Sequence, residues 1–406
     1  MEKRLLLICS EFYPFSFPGA HGAAKMARYI QDHGWRPTVL CPGPPKEKRY
    51  GYDPTLEGPD PCEVVRVPRF YHPKWTIQAA VDRGPARFSP FVAPTLLFRR
   101  MWSRARELCR DGGFHVLLAT SPMDFVLNLA RKTGRRFGLP WVADMRDVLG
   151  ECVENPGFKW RYWMSLERRI LDTATAVVAV TEPIAEKLRR RQSVPVHTIM
   201  NGFDPNDFPP IEDRRSEWCD IIYSGSIQWG RDPTLLFDAM DGILADGSRD
   251  IGRLRVLFYG EPREKLAPFL EGRPCASMVE GLGRRPYGEL VRAEQRAAAL
   301  LLLTHPNVEG IVPSKIFEYF GAGRPILAVP SDGSVTEALI RKTHTGLAAA
   351  SAGEIREQLL TWYDQWQREG QTTYEGVAEE IAPYTRQGGA AKMAALLDEV
   401  AGVGGN

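Results

Sequence analysis

Short apolar runs recur along the chain at residues 4–9, 38–40, 63–67, 115–119, 141–144, 176–180 and 196–200. Runs this brief, with little polar alternation, predict strands buried on both faces, as in a parallel sheet. Between most of them apolar residues return at helical spacing. Met26, Ala27 and Ile30 follow a glycine-containing loop, Val126, Leu127 and Ala130 form a second set, and Ile184 and Leu188 follow the start signals Thr181 and Pro183. This alternation predicts βαβ units. A second series begins after Asn201-Gly202, with strands expected at 220–223, 254–259, 277–279, 299–303 and 325–329. Helices are expected between them at 233–244, 263–270, 287–295 and 314–321. After Gly353 the pattern is wholly helical, first with Ile355, Leu359, Leu360, Tyr363 and Trp366, then with Met393, Leu396, Leu397 and Val400.

The expected fold class is α/β, with two Rossmann-like domains that carry parallel sheets and face each other across a cleft. Residues 1–202 form the expected first domain and 203–375 the second; the helices after Gly353 are expected along the junction, those in 376–406 returning to the first domain. A length of 406 residues agrees, since it exceeds what one hydrophobic core usually holds. Hydrophobic residues at 44% and charged residues at 25% argue against long disorder. The net charge of +2 gives no reason to expect nucleic acid as a partner. The seven cysteines are scattered, with no metal-ligand or CxxC spacing, so neither a disulfide framework nor a zinc site is expected, and a reducing cytoplasm is. The apolar stretch Leu5 to Cys9 ends before Glu11, too short for a signal peptide, and the longest apolar run, 297–303, is far below the ~18 residues of a membrane span.

The densest chemistry lies at 309–327, which holds a loop, a helix start and a strand. Pro313 and Ser314 are start signals, so backbone N–H groups of Gly310, Ile311 and Ser314 would gather at a helix N-terminus, where an anion is favoured and Lys315 adds a full charge. Glu318 lies three residues after Lys315 on the same face, and a carboxylate there can accept hydrogen bonds from two adjacent sugar hydroxyls. Phosphate at one end and ribose at the other would describe a nucleoside diphosphate. The plain alternative is a solvated pair on a surface helix, and spacing alone leaves both open.

The stretch Val312–Leu327, P-S-K-I-F-E-Y-F-G-A-G-R-P-I-L after its valine, resembles the donor-binding signature of glycosyltransferase family 4. These are retaining enzymes with the GT-B fold that use nucleotide sugars. The resemblance implies that Glu318 binds the donor ribose and that Glu309, nine residues earlier where the family's Glu-x7-Glu has eight, sits near the transferred sugar. It extends to Asn201-Gly202-Phe203-Asp204, similar to the family's interdomain element, and to 223–233, similar to its phosphate loop. Ser226 stands there where the family usually has Arg, so Arg231 with Lys315 would carry the charge opposite the diphosphate. The resemblance further implies base contacts at Gly260, Glu261, Gly283 and Arg284, and a backbone contact to the diphosphate at Gly19 in the loop 14–22. His21 in that loop reads as structural. Asp144, Arg146 and Asp147 resemble the family's D-x-R-D element, facing acceptor and transferred sugar, with a strand-end salt bridge as the bland alternative.

The expected activity is transfer of a sugar, with a UDP donor favoured, to a glycan, a lipid-linked or a small-molecule acceptor, without cofactor or metal. A sugar-nucleotide epimerase of the same architecture and a non-catalytic nucleotide-sugar-binding protein are the rivals. GxGxxG is absent, so hydride chemistry has little support. One segment stands apart: Arg66 to Arg110 holds ten Arg or Lys against only Asp82 and Glu107. There, and again at 158–164, cations interleave with Trp, Phe and Tyr, a mixture that suits peripheral contact with an anionic membrane at its inner face. Ordinary core packing of the aromatics is the alternative.

Overall fold

A computed structural model describes residues 2–16, 18–43, 52–56, 58–68, 95–120, 124–146, 157–211, 213, 215–227, 230–247, 249–304, 310 and 312–402. The chain falls into two compact units, Met1–Asn201 with Arg386–Asn406, and Gly202–Thr385.

The first unit is built on β1 (Lys3–Cys9), β2 (Trp35–Pro42), β3 (Glu63–Val67), β4 (Val116–Thr120), β5 (Trp141–Met145), β6 (Ala176–Ala179) and β7 (Val196–Thr198). All pairs are parallel, in the order β3-β2-β1-β4-β5-β6-β7. Its helices are α1 (Pro18–Tyr29), α2 (Thr95–Asp111), α3 (Asp124–Phe137), α4 (Phe158–Leu171) and α5 (Glu182–Arg189). Because successive strand residues point to opposite faces, each face needs its own cover. Leu6, Ile8, Leu117, Ala119 and Val177 pack with Met101, Val126, Ile170 and Leu188 from α2 to α5. Leu5, Leu7, Val116 and Val178 pack on the other side with Ala23 and Ala27 of α1 and with Met393 and Leu397.

The second unit carries β8 (Cys219–Ser224), β9 (Leu254–Tyr259), β10 (Val279–Gly283), β11 (Ala299–Leu303), β12 (Ile326–Val329) and β13 (Gly346–Ala348), again all parallel, in the order β10-β9-β8-β11-β12-β13. Its helices are α6 (Thr234–Asp246), α7 (Arg263–Leu270), α8 (Tyr287–Arg296), α9 (Lys315–Ala322), α10 (Val335–Thr343), α11 (Ala352–Glu369) and α12 (Ala378–Ile381). The last helix, α13 (Arg386–Ala401), belongs to the first unit, where Lys3 Nζ lies 2.6 Å from Asp398 Oδ1. The four leucines 300–303 of β11 are at most 2% exposed. Burying each contributes roughly 1.5–3 kcal/mol, which makes this central strand a rigid base for the loops at its carboxyl end.

Most expected strands fall where the apolar runs lie. The third strand of the second series does not start at 277: a 3-10 turn occupies Pro274–Met278 and β10 follows it. The long helix α2 and the edge strand β13 were not expected. Trp362, Tyr363 and Trp366 of α11 lie in the second unit's own core. Among the described residues no helix is long and apolar enough to cross a membrane. Six of the seven cysteines are described, and all six are free thiols.

Candidate functional site

In the second sheet the strand order reverses between β8 and β11. Open parallel sheets bind ligands beyond the carboxyl ends of their strands at such a reversal. Ser224 ends β8 there, and α9 begins after the loop that leaves β11. Lys315 opens α9 and Glu318 follows one turn on, with Nζ 2.5 Å from Oε2. Their side chains are 25% and 18% exposed, so this is a half-buried pair rather than the solvated contact that spacing alone allowed. Ser314 offers no side-chain cap, and the amides of Ile316 and Phe317 turn back to Pro313 O (3.1 Å) and Ser314 O (3.2 Å). The charge at this tip is therefore carried chiefly by Lys315. Gly310 is buried beside it in sequence, while Glu309 and Ile311 lie outside the described residues.

Beneath the pair is a buried polar group that the sequence did not single out. The Ser224 amide and hydroxyl both donate to Tyr319 Oη, at 3.1 and 3.2 Å, and Tyr319 Oη donates to Leu301 O at 3.0 Å. Glu294, on the last turn of α8, has no exposed surface, and neither of its carboxylate oxygens has a hydrogen bond of ordinary geometry. Burial pushes its carboxyl up to about 7; Lys315 and the Ser224 hydroxyl pull it down, and Glu318 pushes it further up. For Lys315 burial acts to lower the pKa, but Glu318 first and Glu294 next hold the ammonium above its ordinary value. A glutamate in a polar helix reads as solvated, so only packing shows this one.

The loop after β8 is held from three sides. Tyr223 Oη donates to Ser226 O at 3.0 Å, and Arg231 Nη1 donates to the same oxygen at 3.2 Å. Gly225 N bonds Tyr259 O at 2.8 Å, Gly260 N bonds Gly283 O at 2.8 Å, and Gly283 N bonds Glu261 O at 3.0 Å. Gly260 has φ of 108°, and a β-carbon there would stand 2.6 Å from Gly225 O, so only glycine lets these loops meet. Glu261 is buried, and its Oε1 accepts from Ile227 N at 2.7 Å. Of the four residues expected at the base, Gly260, Glu261 and Gly283 thus brace the loop, and Arg284 is exposed.

The rest of the signature is scaffold. Gly321 leaves room for the rings of Phe203 and Phe208, and Gly323, at φ of 63°, ends α9 in the left-handed conformation. Arg324 is 2% exposed, donating from Nε to Ala297 O (2.5 Å) and from Nη2 to Thr372 Oγ1 (2.9 Å). Gly202 abuts the backbone of Thr385, and Asp204 is buried and accepts from Asn206 N at 3.0 Å.

In the first unit the reversal lies between β1 and β4. α1 already begins at Pro18, so Gly19, His21 and Gly22 are helical. His21 is buried, with Nδ1 3.1 Å from Tyr13 Oη, which fits its structural reading. Gly19 is half-buried in the first turn. Arg146 follows β5, with Nη1 3.7 Å from Asp144 Oδ2 and Nη2 hydrogen-bonded to Asn201 Oδ1. Their side chains are 14% and 13% exposed. Its guanidinium rests on Gly22, where a β-carbon would come within 2.5 Å of Nη1. Asp147 lies outside the described residues. Asn201 is the addition here: the sequence marked its motif without giving the side chain a role. Among the described residues no group of three or more His, Cys, Asp or Glu could hold a metal ion.

Residues 19–202 match a family model described as a glycosyl transferase 4-like domain. No curated protein sequence matches the chain. Among solved structures, sucrose-phosphate synthase from Thermosynechococcus elongatus superposes with a TM-score of 0.67 at 14% identity, covering 98% of this chain and 99% of that one. HepE of Anabaena, solved in complex with UDP-glucose, gives 0.59 at 12% identity over 98% and 97%. A putative UDP-N-acetylglucosamine 2-epimerase from Listeria monocytogenes gives 0.57 at 13% identity over 98% and 96%. At these identities the likeness is one of fold.

Proposed function

We propose that this chain, whose residues 19–202 are a glycosyl transferase 4-like domain and whose two parallel-sheet units form the GT-B fold, is a retaining glycosyltransferase. It moves a sugar from a nucleoside diphosphate to a hydroxyl of a glycan, a lipid-linked or a small-molecule acceptor. The observation that carries the reading is the half-buried Lys315–Glu318 pair at the reversal of the second sheet, with cation at the helix tip and carboxylate one turn along. Lys315 takes the diphosphate, Glu318 the ribose hydroxyls, and the Arg231-braced loop the remaining phosphate oxygens. Asp144 and Arg146 orient acceptor and transferred sugar. The acceptor hydroxyl attacks the anomeric carbon on the face the diphosphate leaves, and the departing phosphate oxygen accepts its proton. The chain's contribution is alignment and stabilisation of charge on the leaving group, with no protein nucleophile and no metal. Support for a UDP donor comes from the fold shared with HepE, which was solved with UDP-glucose.

A screen of UDP, GDP, ADP and dTDP sugars by thermal shift, then product analysis with acceptors, tests this reading. Failure of every nucleotide sugar to stabilise the protein would overturn it. The epimerase fold in the comparison favours one rival, which would give an isomer without acceptor. Products formed with and without acceptor separate the two.

The proposal extends to peripheral contact with an anionic membrane. α2, α3 and α4 cover one face of the first sheet and expose Arg99, Arg104, Arg110, Lys132, Arg135, Arg136, Arg161, Arg168 and Arg169. Glu107 and Asp111 are the acids exposed on these helices among the described residues. Phe98 and Trp102 pack against the core with Lys132 Nζ 5.6 and 5.1 Å from their ring centres, so they are core as the bland alternative held, whereas Tyr162 is 54% exposed. Lys74, Trp75, Phe88 and Phe91 lie outside the described residues. Sedimentation with phosphatidylglycerol vesicles, lost at high salt and absent with phosphatidylcholine, is expected. Equal sedimentation with both lipids would reject it.

A further inference from the structure

The Lys315–Glu318 pair raises a question that the donor reading does not answer. The two side chains hold each other at 2.5 Å, yet the proposed donor needs the cation on its diphosphate and the carboxylate on its ribose. Binding must therefore loosen the pair and bring new negative charge beside Lys315.

What lies under that place is Glu294, fully buried and without a hydrogen bond of ordinary geometry to either oxygen. Two elements pack on α8 at this level, α9 and β8. From α9 Lys315, Glu318 and Tyr319 interact with it, and from β8 the Ser224 hydroxyl, while the Tyr223 phenol interacts with Lys315. The segment before β8 reaches α8 through Pro209 O, which accepts from Gln295 Nε2 at 3.0 Å, through Asp207, which accepts from Tyr287 at the opposite end of the helix, and through Asp213, which interacts with Arg296. Lys315 is thus the cation that acts on Glu294, and it is shared with Glu318. An ionised carboxylate in such a place depends chiefly on that cation, with a smaller pull from the Ser224 hydroxyl and no hydrogen bond of ordinary geometry.

We propose that Glu294 is a proton-accepting positioning residue for Lys315, and that arrival of a diphosphate ester at Lys315 drives a proton from solvent onto the Glu294 carboxylate. The inference rests on the donor reading above. The balance is simple: Lys315 turns its charge toward the phosphate oxygens, Glu294 loses the cation that kept it ionised, and one proton from water makes it a neutral acid. On release of the nucleotide the proton leaves and the carboxylate recaptures Lys315. With free-state titration near neutrality, the site gains this linkage where small pH changes alter occupancy.

The test is calorimetric. UDP-glucose, with GDP-mannose and ADP-glucose as alternatives, is titrated into the full chain in two buffers of different ionisation enthalpy across the neutral range. A sugar diphosphate diester has no ionisation of its own there, so any proton taken up belongs to the protein. Uptake of a fraction of one proton is expected, with affinity falling by no more than about tenfold per pH unit on the alkaline side. Glu294→Gln, neutral at every pH and nearly the same shape, should abolish the uptake, bind as the parent does at acid pH, and show no alkaline loss. Donor binding without uptake in the parent, or uptake that survives in Glu294→Gln, overturns this inference and leaves the donor reading standing. No binding by any of the three sugars, nor by a dTDP sugar, overturns both. The parent's measurement decides the matter even where the variant folds poorly.

Discussion

Gly22 and Arg146 meet face to face: the guanidinium lies where a β-carbon would be, within 2.5 Å of Nη1. Gly22 is inside α1, a place where glycine ordinarily costs about 0.5–1 kcal/mol relative to alanine. The bare backbone lets α1 approach Arg146 while that side chain reaches Asp144 and Asn201.

Gly22→Ala therefore separates fold from site. The added methyl meets the far end of a flexible side chain rather than backbone, so the helix accepts it and Arg146 swings aside. The melting temperature should hold or rise slightly, and donor turnover should fall by at least about tenfold through misplacement of the guanidinium. Unchanged kcat/KM would show that Arg146 has no role at the reacting centre.

Lys315→Met removes the cation at the tip of α9. Loss of one preorganised charge opposite a leaving diphosphate costs roughly a hundredfold to a thousandfold in kcat. Glu318→Gln, which keeps shape but gives up charge-assisted bonds to ribose, should act mainly on donor KM, by about 1.5 kcal/mol or more. Reversal of this split, with KM moved by Lys315→Met and kcat by Glu318→Gln, would exchange the two roles.

How far the sequence could be read depended on whether a residue's partners are local. The central strands were legible because burial on both faces makes them near-continuous apolar runs, as in 299–303. β10 was not, since it is an edge strand of Glu, two glycines and a register shift between Gly281 and Gly283. β13, with three residues, is too short to show a period. α2 had a usable signal in Leu97, Met101, Ala105 and Leu108, obscured by its arginines. At the site, Lys315 and Glu318 were visible because three-residue spacing fixes a shared helix face. Asn201 and Glu294 were not, because the first meets Arg146 across 55 residues and the second is distinguished only by burial.

Arg324→Lys tests the part of the signature assigned to scaffold. The guanidinium reaches Ala297 O with one edge and Thr372 Oγ1 with the other, a fork that an ammonium cannot copy. At least one buried acceptor loses its partner, at about 1–3 kcal/mol. The urea midpoint should drop accordingly, while donor affinity measured well below the transition stays within about twofold. A large affinity loss in a variant of full stability would place Arg324 at the donor instead.

Glu294 also leaves a mark on stability that needs no ligand. Its carboxyl, ordinarily near 4.5, is raised by burial to about 7 in the folded chain. Between those values the unfolded chain releases this proton while the folded chain keeps it, so the folded state binds more protons and stability falls as pH rises. The contribution is fully present below the ordinary value and is lost once pH passes about 7. Other groups titrate in the same window, so the useful quantity is the difference between the parent and Glu294→Gln, which cannot titrate there. Chemical denaturation from acid to neutral pH should show the parent losing up to about 3 kcal/mol relative to the variant, with the curves running parallel above that range. Parallel curves throughout would mean that Glu294 is already ionised in the folded chain, with Lys315 and the Ser224 hydroxyl compensating its burial.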